Sequence, residues 1–182
     1  MNRASGAKTF KEPLDRMPIM GAPDRLYEQD FFAWTQEQAK ALRDRAPGNG
    51  SNLPLDWENL AEEVESLGRA ERNALGSHVA RILRHLLKLE CSPASEPQRG
   101  WRISIQESRA EVRRLLNASP SLRTSLEIVI AEEMPDAVAL AATDLAAHGE
   151  FDAADALRAG SATYRLDQVL GPWFPGDAPG KG

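Results

Sequence analysis

Between Leu55 and Cys91 apolar residues return every third or fourth position over a longer stretch than anywhere else in the chain. Trp57, Leu60, Val64 and Leu67 are followed by Leu75, Val79, Ile82, Leu83, Leu86 and Leu89, and the phase is kept across Gly68, as one face of a helix requires. One long helix is expected, with Gly68 as the place where it could kink. At a rise of about 1.5 Å per residue it would run on the order of 50 Å. Asp56 stands where an N-cap belongs, and Glu58, Glu62 and Glu63 follow where the helix dipole favours negative charge.

The flanking segments carry shorter patterns. From Asp24 onward Leu26, Tyr27, Phe31, Trp34, Gln38, Ala41 and Leu42 share a helical face, while Glu37, Lys40 and Arg43 fall away from it. Asp30 offers an alternative N-cap, with the helix starting at Phe31. The run from Pro47 to Ser51 is a breaker cluster that predicts an exposed loop. A third helix is expected from Gln98 or Trp101 to Leu116, with Trp101, Ile105, Val112, Leu115 and Leu116 inward. Ser119 and Pro120 read as N-cap and first residue of a fourth helix that reaches Met134. Pro135 should kink or restart it, because proline cannot donate to the preceding turn. Asp136 to His148 continues as an Ala-rich helix with Gly149 as its C-cap. Asp152 to Arg158 and Arg165 to Leu170 predict two short helices, after which Trp173 and Phe174 read as aromatic plugs over the bundle.

These pieces predict an all-α fold: a single-domain helical bundle of about four main helices organised on one long helix, with short C-terminal helices. Residues 1–23 are expected to be a flexible segment, 24–175 the domain and 176–182 a disordered tail. Composition agrees, since 182 residues suit one domain and only 6% are aromatic. The lone Cys91 allows no intrachain disulfide. No run approaches the roughly 18 apolar residues of a membrane span and no signal-peptide core is evident, so a cytoplasmic protein without a membrane partner is expected. Ile82 should be a core residue, and Trp57, Trp101 and Trp173 should be mostly buried. Trp173 either fastens the C-terminal segment across the bundle or docks on a partner.

Two sets of residues are candidates for chemistry. Glu71, His78 and His85 recur at seven-residue spacing and so form a line along the long helix. Side chains so spaced are roughly 10 Å apart, too far for two of them to share one ion without ligands from neighbouring helices. Buried, hydrogen-bonded structural polar groups are the expected reading, and no cofactor or metal is expected. The second set is a basic surface of Arg81, Arg84 and Lys88 on the long helix with Arg109 and Arg113 on the next, alongside Arg102 and Arg114. Arginine forks suit phosphates, yet acidic faces in the same chain, such as Glu62, Glu63 and Glu65, can meet the same charges. A net charge of −5 argues against a general nucleic-acid coat. Glycine-rich phosphate loops, Gly-x-Ser-x-Gly turns, paired cysteines and His-Glu-x-x-His are all absent from the sequence.

Three segments, YEQDFFAWTQEQAKALR (Tyr27 to Arg43), LDWENLAEEVESLG (Leu55 to Gly68) and HVARILRHLLKLE (His78 to Glu90), together resemble the domain of unknown function 29 family. Trp101, the junction Leu115 to Leu122 and the segment Tyr164 to Leu170 extend the resemblance over most of the chain. It implies a helical bacterial protein and supplies no activity or catalytic residue. The functional expectation is a non-catalytic helical module that binds another protein or itself. Nucleic-acid binding through the arginine-rich surface is the first alternative, and a metal-dependent or hydrolytic enzyme using the Glu/His line is the second.

Overall fold

The computed structural model describes residues 23–44 and 55–176. The expectations for the flexible segment, for the loop around Pro47 to Ser51 and for residues 177–182 lie outside the described residues. Among those described there are seven α-helices and one 3-10 segment, and no strand. They run α1 (Pro23–Gln29), α2 (Phe31–Asp44), α3 (Trp57–Cys91), α4 (Gln98–Ala118), the 3-10 segment (Pro120–Ser125), α5 (Leu126–Ala147), α6 (Phe151–Ala159) and α7 (Leu166–Leu170). The fold is all-α.

Helix α3 is the axis: α2, α4 and α5 all pack on it, and α6 leans on α5. Its start is capped as expected, Asp56 Oδ1 accepting from the Asn59 N–H at 3.1 Å. It continues for 35 residues without a break at Gly68. The reason for the glycine is contact rather than flexibility. A β-carbon there would lie 2.3 Å from Thr35 Oγ1, so α2 crosses α3 where neither helix carries bulk. Buried Ala39 and Ala61 line the same seam.

The seam shifts the expected apolar faces. Leu60 and Leu67 remain 42% and 48% exposed, because Ala61 and Gly68, one position on, take the inward side. On α2 the buried residues are Thr35 and Ala39, with Phe32 partly buried against the core. Tyr27, Phe31 and Trp34, expected inward, instead cluster with one another, with ring centroids 4.9 to 5.8 Å apart and Tyr27 exposed.

In its second half α3 is covered on several sides. Leu75, Val79, Ile82, Leu83, Leu86 and Leu87 are fully buried among Ile105 and Val112 of α4 and Val129, Ala141, Ala142 and Leu145 of α5. Pro135 lies inside α5 without ending it. It is exposed, so the missing N–H faces water rather than the core. Gly149, with φ of 80°, closes α5 while the Glu150 N–H returns to the Leu145 carbonyl at 2.9 Å, the left-handed stop that glycine permits.

Two helix starts are joined across the fold. Asp30 caps α2 through the Ala33 N–H and also accepts from the Ser121 N–H at 2.6 Å and the Ser121 hydroxyl at 2.8 Å. In return the buried Ser119 hydroxyl, expected to cap its own helix, accepts from the Phe32 N–H at 3.2 Å. Each start supplies an acceptor for the other's orphan N–H groups.

The C-terminal segment is clasped by Arg109. Arg109 is 4% exposed, and its guanidinium donates to the carbonyls of Val169, Gln168 and Trp173 at 2.8 to 2.9 Å. Phe174 lies against both Arg102 and Arg109, at 4.5 and 4.9 Å, and is the buried aromatic there. Trp57, Trp101 and Trp173 are only half-buried, since each lies at the margin of the bundle.

Candidate functional site

Near the C-terminal ends of α3 and α5 the chain forms a cleft of about 490 Å³, lined by Lys88, Ala94, Glu96, Pro97, Trp101, Asp144, Leu145, His148 and Glu150. Three elements build it. The last turns of α3 bring Lys88, the bend after Cys91 and the start of α4 bring Glu96 and Trp101, and the end of α5 with its Gly149 stop brings Asp144, His148 and Glu150.

An ion cluster stands in its wall. Asp144 accepts from Arg84 Nε and Nη2, at 2.9 and 2.6 Å, and from the Lys88 ammonium at 2.9 Å. Burial pushes the Asp144 carboxyl upward, and the hydrogen bonds from Arg84 and Lys88 more than reverse this, leaving it below the usual carboxylate range. Lys88 Nζ also lies 4.6 Å from the Trp101 ring centroid, a cation–π contact. His148 Nδ1 is 2.7 Å from the Asp144 carbonyl, which can only accept, so Nδ1 carries a proton. Neither Glu96 nor Glu150 has a cationic partner among the described residues, and Glu150 Oε2 is shut off from solvent without a donor.

Beside the cluster, burial first and then the charges of Lys88 and Arg84 hold His85 down to about 4, and its Nδ1 is buried without a partner. Burial raises the Cys91 thiol, with the neighbouring Glu90 adding to the shift, which keeps it protonated and unreactive.

The family described as Domain of unknown function DUF29 matches residues 26–174. The chain belongs to this family. Among solved structures, this DUF29 chain is similar to an alpha-helical protein of unknown function from Rhodospirillum rubrum ATCC 11170. The two are 25% identical with a TM-score of 0.61, over 80% of this chain and 89% of that one. No curated protein matches.

The DUF29 fold disperses both sets of residues singled out from the sequence. Glu71, His78 and His85 stay strung along α3, and no group of three His, Cys, Asp or Glu side chains converges on a metal position among the described residues. Of the basic set, Arg84 and Lys88 are bound to Asp144 and Arg109 holds the C-terminal carbonyls, while Arg81 and Arg113 are exposed. Asp144, Glu96, His148 and Glu150 escaped the sequence reading. Asp144 carries a signal of its own: it is the one charged residue between Ala137 and Ala147 of α5, beside Ala141, Ala142 and Leu145, opposite basic residues one turn apart on α3.

Proposed function

We propose that this protein is a non-catalytic, cytoplasmic interaction module that docks a basic amphipathic helix of a partner protein on the arm formed by α2 and the first half of α3. The observation that carries the reading is the stripe Leu60, Val64, Leu67, whose two leucines are nearly half exposed. Large apolar side chains in line on one helix, without cover, are a common mark of an interaction surface.

The charge around the stripe selects the partner. From Asp56 to Arg72 the six acids Asp56, Glu58, Glu62, Glu63, Glu65 and Glu71 outnumber Arg69 and Arg72, and the excess persists after Arg43 of α2 pairs with Glu58 and Glu65, because Arg69 is engaged with Glu62 and Glu65 and Arg72 with Glu132. An acidic rim repels a second copy of the same arm and attracts lysine-rich flanks. The nucleic-acid reading draws less support, because Arg84, Lys88 and Arg109 are already engaged within the chain.

The test is a fluorescently labelled synthetic helix with a leucine stripe and lysine flanks, titrated by anisotropy. Binding should be saturable, should weaken with salt and should fall at least tenfold in the Leu60→Asp/Leu67→Asp double variant. Equal binding by that variant, or by a shuffled peptide of the same charge, overturns the reading. A light-scattering dimer abolished by the same substitutions would make a second copy the occupant instead.

A further inference from the structure

The cleft between the ends of α3, α4 and α5 has a polarity that the interaction reading does not use. Its donors are taken: Lys88 is committed to Asp144 and to the Trp101 ring, and His148 Nδ1 to a carbonyl. Its acceptors are open. Glu96 and Glu150 line the cleft and lack cationic partners among the described residues.

We infer that this cleft binds a small organic cation, a primary amine or guanidinium with a short apolar segment, whose charged head meets Glu150 and Glu96 while the segment lies along Trp101 and Leu145. A cavity of about 490 Å³ falls in the size range of small-molecule sites, and a few polar groups on an aromatic and aliphatic wall are their usual construction. Anions are disfavoured, because two unneutralised carboxylates border the space and its one lysine is already paired.

The probe is 1,5-diaminopentane, followed by titration calorimetry and by the NMR signal of the Trp101 indole N–H, with 1,5-pentanediol as the neutral control of similar length. Saturable heat and a shifted Trp101 signal are expected with the diamine alone. Glu150→Gln should weaken binding at least tenfold, Glu96→Gln should weaken it as well, and Glu111→Gln, far along α4, should leave it unchanged. Glu96 is exposed, so its variant keeps the test open should Glu150→Gln fold poorly. Equal response to the diol, absence of saturable binding, or unchanged affinity in both cleft variants overturns the inference.

Discussion

The two halves of α3 have the same amphipathic period and opposite fates. In the second half the stripe Leu75, Val79, Ile82 and Leu86 is covered by α4 and α5 and vanishes from the surface. In the first half only α2 is alongside, and it approaches so closely at Gly68 and Thr35 that contact is made by small residues while Leu60 and Leu67 are left beside it. Periodicity reports that a helix has an apolar face. The number and bulk of its neighbours decide how much of that face is hidden.

The comparison can be broken most severely at the C-terminal clasp. Truncation after Gly160 removes the three carbonyl partners of Arg109 together with buried Val169 and Phe174, and opens to water the apolar core surface that they cover. A loss of about 4 kcal/mol or more is expected in denaturant unfolding. An unchanged melting temperature would show that the body holds without its clasp.

Ile82→Ala, at a fully buried position, should cost about 2 to 5 kcal/mol. Leu67→Ala, on the same helix, should cost less than about 0.5 kcal/mol. Equal losses would erase the distinction between arm and body.

Acid should act on the body. His85 titrates near 4 in the folded chain and higher when unfolded, so the unfolded state binds the extra proton between these values and stability falls as pH drops. The contribution is complete above the ordinary histidine pKa and lost as pH falls through about 4. A decline of about 2 to 3 kcal/mol across that window is expected, and His85→Phe should flatten it.

The smallest effects separate the two helical glycines. Gly68→Ala drives a methyl onto the Thr35 side chain and should cost about 1 to 3 kcal/mol. Gly76→Ala meets only the tip of Glu133, which can swing aside, so the better helix former should be neutral or stabilising by up to about 1 kcal/mol. Melts of the two variants that shift alike would contradict the seam at Gly68.

Local rules read well from this chain. Asp56 as cap, Gly149 as stop, the span of α3 and the short helices α6 and α7 follow from residue chemistry within one or two turns. What escaped depends on partners distant in sequence. That Gly68 is a contact point requires Thr35 to be opposite, and that Arg109 is buried requires the carbonyls near Val169 to reach it. Pro135 escaped for a related reason, since the local rule against it weakens where its face of α5 meets water. The cleft needed three elements at once, and only Trp101 and Lys88 among its residues had stood out beforehand.

The shared capping of Asp30 with Ser119 and Ser121 has a kinetic consequence. The α2/α3 and α3/α4 pairings join neighbours along the chain and close short loops, whereas this joint ties positions 91 residues apart and must wait until α4 has turned the chain back. It therefore belongs to the last stage of folding and the first stage of unfolding. Ser121→Ala should leave the folding limb of a chevron in place and raise the unfolding limb, which makes two serines and an aspartate a latch on the lifetime of the native arm.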